Sequence, residues 1–238
     1  MRRLMFVCLV TLGMAAPAAA QVDKPFDFNI GGGWEFPLST YKNEFNVGGQ
    51  FVIGGTYWVT PTIGIQGEYE YDKMSGPSRT VSISNNPIAA AVTNGIIDSN
   101  QQIHAGVFDV VIRSPQHADQ MASAYFLGGL GIYHRIIQLT SPAVGYTTIC
   151  DPYWYYCYPT AVSIDQILGD RSSNDFGINF GAGVNFGHEA KFYIEARYHY
   201  VWGPEVTIPA GAVTPVASGG STYKANAQYF PLLFGLRF

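Results

Sequence analysis

Few residues in this chain can do chemistry. Of 238 residues, 13 are Lys or Arg and 17 are Asp or Glu, about half of the roughly 25% charged content of a soluble globular domain. Two cysteines in the body of the chain, Cys150 and Cys157, are separated by Asp-Pro-Tyr-Trp-Tyr-Tyr. In an exported chain an even pair favours a disulfide. A metal centre needs more ligands than two thiols this far apart with no His beside them, and a redox pair more often has C-x-x-C spacing. A serine hydrolase needs a Ser activated by a His that a carboxylate orients, yet His104, His117, His134 and His188 have no evident Ser and acid at compatible positions. No metal cluster and no cofactor is implied. Ion pairing remains. Glu68 and Glu70, like Glu195 and Arg197, lie two residues apart and so share one face of an extended chain. Asp109 and Arg135 join them if their strands turn the same way.

The elements that position these residues begin after the N-terminus. Arg2 and Arg3 precede the apolar run Leu4 to Met14 and the small residues Ala15 to Ala20, the pattern of a secretory signal peptide over residues 1–20. Ala18-Ala19-Ala20 places cleavage before Gln21. The apolar run is shorter than the roughly 20 residues of a spanning helix. An uncleaved anchor is the alternative, and Met5-Phe6-Val7 before Cys8 lacks the small residues of a lipoprotein site. Losing residues 1–20 leaves 11 basic and 17 acidic residues. That balance has no basic footprint, so nucleic acid is excluded as a partner.

Beyond residue 20 no apolar run is long enough for a spanning helix, so membrane residence requires strands. Period-two alternation supplies them. Phe26, Phe28, Ile30, Gly32, Trp34 and Phe36 share one face, against Asp27, Asn29, Gly31, Gly33 and Glu35. The pattern returns over 45–57, over 63–71 with Gln66, Glu68, Glu70 and Asp72 opposite, over 176–186, over 192–202 with Glu195, Arg197 and His199 opposite, and over 230–238. Two less regular strands, about 103–112 and 122–135, turn Phe108, Val110 and Ile112, then Phe126, Leu130 and Ile132, outward, leaving Asp109 and Arg135 inward. Eight strands near the roughly 9–11 residues a tilted membrane strand needs predict an all-β, eight-stranded antiparallel up-and-down transmembrane β-barrel over residues 21–238. Connections after the second, fourth and sixth strands are short. Those at about 75–102, 136–173 and 203–224 are long and extracellular. Trp34, Phe36, Tyr69, Tyr71, Tyr198, Tyr200 and Trp202 form an outer aromatic girdle, with Tyr57 and Trp58 in an inner one. A soluble barrel also alternates, but the face opposite Phe and Ile here is crowded with Gly and small polar residues, which suits a narrow lumen filled by side chains.

The segments Phe176 to Phe186, Glu195-Ala-Arg-Tyr198 and Tyr229 to Phe238 resemble the last three strands of the small outer-membrane β-barrel family of the OmpA and OmpX types, and the resemblance extends over essentially all of residues 21–238. It implies location in the outer membrane of a Gram-negative bacterium, contact with outer-membrane lipid and lipopolysaccharide, and handling by the barrel-assembly machinery. By that resemblance Phe234, Leu236 and Phe238 are an assembly signal as well as lipid-facing residues. The sequence stops at the final strand without the periplasmic domain of full-length OmpA, so no direct cell-wall tether is expected. Lipid A deacylases and palmitoyltransferases also use eight strands, but His199 is followed by Tyr200 and Val201, so the deacylase His-x-Ser arrangement is missing.

Charges in a narrow lumen must pair, because an unpaired charge in low dielectric is expensive. The expectation is a cross-lumen network of Glu68, Glu70, Asp109, Arg135, Glu195 and Arg197, centred on Arg197 with Glu68 or Glu70. It acts either as a plug or as the gate of a narrow pore. In the third long loop Tyr153, Trp154, Tyr155 and Tyr156 stand between the cysteines as a contact surface for an extracellular or surface protein, or as rings that stiffen the loops. The apolar stretch Pro87 to Val92 of the second loop is expected to tuck over the barrel mouth. The functional expectation is a non-enzymatic outer-membrane barrel with a structural and surface-interaction role, with a small-solute channel as the alternative.

Overall fold

The computed structural model describes residues 25–81, 95–115, 122–151, 156–187, 190–208 and 221–238. The expected signal segment 1–20 and the apolar stretch at 87–92 lie outside them. The strands are β1 (Phe26–Pro37), β2 (Gly48–Trp58), β3 (Ile63–Ser75), β4 (Arg79–Val81), β5 (Gly95–Arg113), β6 (Ala122–Asp151), β7 (Tyr156–Phe186), β8 (Lys191–Trp202), β9 (Glu205–Ile208), β10 (Ser221–Lys224) and β11 (Ala227–Arg237). Eight of them close an antiparallel barrel in the order β1, β2, β3, β5, β6, β7, β8, β11 and back to β1. β4 extends the sheet beside the outer part of β5, and β9 pairs only with β10.

Closure leaves the eight-stranded wall without an edge, which is what hydrocarbon demands of a spanning sheet. The seam is β1 against β11, from Asn29 opposite Arg237 to Pro37 opposite Tyr229. The last residue is locked in: Phe28 and Phe238 exchange two backbone hydrogen bonds of 2.7 and 2.9 Å. At the same end the Thr60-Pro61-Thr62 turn is fixed by the Ile63 amide, which donates to Thr60 Oγ1 at 2.9 Å.

The two faces of the wall obey the alternation. Phe108, Phe126, Ile132 and Phe180 are each more than half exposed on the outside, where a membrane supplies the apolar surroundings that water would not. Inside, long side chains face glycine across the strand pairs: Glu68 opposite Gly54, Asp109 opposite Gly129, Arg197 opposite Gly181, Glu195 opposite Gly183. A Cβ on Gly181 would come within 2.8 Å of Arg197 Cγ, and one on Gly54 within 2.5 Å of Glu68 Cγ. The interior glycines are therefore the space the charged residues occupy.

Four expectations need correcting. The segment 136–173 is not a loop: β6 and β7 stay paired far beyond the membrane, up to Asp151 opposite Tyr156, with one register shift at Leu139/Thr140. β6 parts from β5 after Thr140, and its eleven remaining residues to Asp151 make an arm of about 35 Å. On β7 the described residues 164–170 are exposed on both faces, so the hydrophobic alternation that betrays a membrane strand fades there although pairing continues. Secondly, β5 already begins at Gly95, inside the loop expected at 75–102, and β9 and β10 occupy part of the loop expected at 203–224. Thirdly, Phe45 belongs to no strand. It follows a 3-10 turn at Ser39–Asn43 and is buried with Tyr41 and Met74. Finally, Trp58 points into the lumen, nearly fully buried, so of the pair only Tyr57 stands outward.

Candidate functional site

The lumen holds the molecule's concentrated chemistry, arranged in tiers along the strands. At the end of the short turns, Trp58 Nε1 donates to Asp27 Oδ2 at 2.6 Å, and the Arg113 guanidinium lies 3.7 Å from the Trp58 ring centre. Further in, Arg237 lies 4.8 Å from the ring centre of Tyr125 and 5.4 Å from that of Tyr193. Its Nη1 donates to Asn185 Oδ1 at 3.4 Å.

The middle tier is a four-carboxylate cradle around one guanidinium. Arg197, almost wholly buried, bridges Glu68 through Nη2 and Glu195 through Nε. Its Nη1 donates to Glu70 Oε1 at 2.9 Å and lies 3.6 Å from Asp109 Oδ2. Neighbours complete the cage: Tyr125 Oη donates to Glu195 Oε2 at 2.6 Å, and Asn29 Nδ2 donates to a Glu68 carboxylate oxygen. Five of the eight wall strands contribute, since Asn29 comes from β1, Glu68 and Glu70 from β3, Asp109 from β5, Tyr125 from β6 and Glu195 and Arg197 from β8. Charge-assisted bonds of this kind are roughly twice as strong as neutral ones. Removing one member of such a buried set leaves uncompensated charge behind.

Toward the long-loop end, β3 places Asp72 two residues beyond Glu70, β1 contributes Glu35 and β2 contributes Gln50, all buried. His199 lies here too. Its ring stacks on Tyr229 with centroids 4.7 Å apart, and its Nδ1 is 2.9 Å from Tyr133 Oη and 3.9 Å from Glu70 Oε2. Tyr41, Phe45, Met74 and Ile103, with Tyr133 and Tyr229, form an apolar layer in the same region.

Arg135 stands apart from the network expected for it. Its Nε donates to Asp175 Oδ2 at 2.5 Å and its Nη2 to the Ala225 carbonyl at 2.9 Å. Residue 135 pairs with Ile103 and Ser173, near the mouth. The apolar layer of Ile103 and Tyr133 separates it from Arg197, and Asp175, two residues along β7 from its register partner, is the carboxylate it reaches. At this mouth Tyr41, Phe45, Ile97, Gln101, Ile137 and Leu139 line much of a cavity of about 490 Å³.

The remaining candidates sit on the outside or beyond the barrel. Leu236 and Phe238 are exposed on the lipid face, and Phe234 beside them packs edge-on against Trp34 at 5.8 Å. Cys150 stands directly opposite Cys157 near the tip of the β6–β7 hairpin. Tyr153, Trp154 and Tyr155 lie outside the described residues, and Tyr156 opens β7. Residues missed by sequence reasoning include Asn29, Tyr125 and Asp175. Asn29 was legible on the polar face of the first strand. Asp175 was not, because its strand appeared to begin one residue later.

A closed antiparallel barrel with an apolar outer band and a core of buried, paired side-chain charges defines an integral membrane β-barrel. The chain belongs to the outer membrane protein β-barrel domain family, which matches residues 6–238, and it is an outer-membrane protein. No curated protein matches it in sequence. Among solved structures it is similar to Ail of Yersinia pestis in complex with the heparin analogue sucrose octasulfate, at 16% identity over 90% of this chain and 97% of that one, with a TM-score of 0.42. It is also similar to OprG of Pseudomonas aeruginosa, at 12% identity over 90% and 97%, TM-score 0.45. A third, the Escherichia coli outer membrane protease OmpT, is 10% identical over 82% and 64%, TM-score 0.41.

Proposed function

We propose that the protein is a closed, non-enzymatic barrel of the outer membrane that presents its β6–β7 hairpin as a surface for contact outside the cell. The observation that carries this reading is the pairing of β6 with β7 up to Asp151 opposite Tyr156, an arm far longer than membrane spanning needs. The arm is edged by exposed Leu139, Ile164, Ile167 and Leu168. The opposition of Cys150 and Cys157 in register supports a disulfide that pins its tip. A plugging role for the lumen is supported by the four carboxylates gripping Arg197. The burial of His199 among Tyr133, Tyr229 and Glu70, with no Ser among these neighbours, supports packing rather than nucleophile activation. Outward Phe234, Leu236 and Phe238 support lipid contact and recognition by the assembly machinery.

The test is adhesion of bacteria displaying the protein, with and without residues 146–160, to a surface coated with extracellular matrix protein. The barrel is checked by its heat-modifiable band. The truncated protein is expected to fold and adhere less. Undiminished adhesion sinks the surface role. A second reading, a narrow cation pathway, draws on the excess of carboxylates in the lumen, and it requires Arg197 to let go of its partners.

A further inference from the structure

The lumen carries more negative charge than its cations answer. Between its middle and the long-loop end lie Glu35, Glu68, Glu70, Asp72, Asp109 and Glu195, all buried, and the guanidinium among them is that of Arg197. Arg197 is taken by Glu68, Glu70, Asp109 and Glu195. The other buried arginines are committed elsewhere: Arg135 bonds Asp175 and a backbone carbonyl at the mouth, and Arg237 lies over tyrosines at the far end. Glu35 and Asp72 are left. Neither oxygen of either carboxyl has a hydrogen-bond partner.

A third side chain points to what answers them. Gln50 is 5% exposed, and neither its amide oxygen nor its amide nitrogen is bonded. It stands directly opposite Asp72 across β2 and β3, and it is one pleat step from Gly48, the residue opposite Glu35 across β1 and β2. Gly48 brings no side chain into that corner. Two carboxylates and an amide carbonyl therefore meet on one stretch of wall, roofed by Tyr41, Phe45, Met74 and Ile103. Two carboxylates in low dielectric either share protons or take up a cation.

We propose that Glu35, Asp72 and Gln50 hold a hard divalent cation, Ca²⁺, in the upper lumen. The donors are all oxygen, which selects Ca²⁺ or Mg²⁺ over the softer metals. Among the described residues no three His, Cys, Asp or Glu side chains converge on one point, so the shell consists of two carboxylates, the Gln50 carbonyl and water. An irregular shell of that kind suits Ca²⁺ better than Mg²⁺, which demands near-ideal octahedral geometry. The ion balances the two charges Arg197 does not reach, and it ties β1, β2 and β3 together beneath the apolar roof.

The experiment uses the protein refolded in detergent without lipopolysaccharide and stripped with EDTA. Tb³⁺ serves as a luminescent probe excited through tyrosine, with Ca²⁺ as competitor. The expected result is one Tb³⁺ per barrel, displaced by Ca²⁺, and a conversion temperature of the heat-modifiable band that rises when Ca²⁺ is restored. The double variant Glu35→Gln with Asp72→Asn is expected to lose both responses. Gln50→Met, which keeps the volume and both carboxylates, is expected to weaken binding at least tenfold and keeps the test decisive should the double variant fail to fold. Overturning results are absence of Tb³⁺ binding, a Ca²⁺ response that survives in the variants, or a wild-type conversion temperature that follows pH and ignores Ca²⁺. The last would mean that protons alone separate the pair.

Discussion

β6 and β7 run through two environments, and the same pair of strands is held differently in each. Within the membrane span every second residue faces lipid, from Phe126 to Ile132 and from Phe176 to Phe186, and the residues between them pack a lumen of glycine, tyrosine and charge. Beyond Thr140, the last β6 residue paired with β5, the pair leaves the barrel wall, and Ile164, Asp165, Gln166, Ile167, Leu168, Gly169 and Asp170 are all exposed in sequence. The barrel is thus specified by side chains on two faces and the arm by little more than its ladder and its tip, so the barrel is intolerant of substitution where the arm is free to vary.

Breaking the barrel side of that contrast gives the largest effects. Arg197→Met leaves Glu68, Glu70, Asp109 and Glu195 without their cation, and a loss of about 3–5 kcal/mol is expected. It is read as a large fall in the conversion temperature of the heat-modifiable band or failure to refold. Phe180→Arg places a charge on the lipid face at a position 58% exposed, and a cost of about 2–4 kcal/mol is expected near the bilayer midplane, measured by urea unfolding in lipid vesicles. At the base of the arm, Ile167→Thr and Arg171→Ala change exposed residues without buried partners and are expected to stay within about 0.5 kcal/mol of the parent in the same assay. An arm substitution as costly as Arg197→Met would erase the contrast.

The barrel was legible in the sequence because lipid on one side and a narrow lumen on the other write a period of two into each strand. The same signal fails wherever one face loses its partner. It missed the arm, where neither face is apolar. It misplaced Phe45, whose parity matched Phe51 although it lies before the start of β2 at Gly48, just after a 3-10 turn, and Trp58, whose ring was taken for a girdle residue by type although its parity turned it inward to Asp27. Among charged residues, facing was readable and partnership was not. Arg197 does meet Glu68 and Glu70, but Arg135 shares only its inward direction with them, and its height on β6 assigns it to Asp175. Glu35 and Asp72 were visible on polar faces, yet only register places Gln50 beside Asp72 and leaves both carboxylates beyond the reach of Arg197.

The central claim is that the lumen is filled and closed by the Arg197 cradle. Planar-bilayer conductance of the refolded wild-type protein, after the heat-modifiable band has established folding, tests it most directly. The account predicts a folded barrel that stays electrically silent. Steady, ion-selective current steps from the folded protein would contradict it and make the cradle a gate.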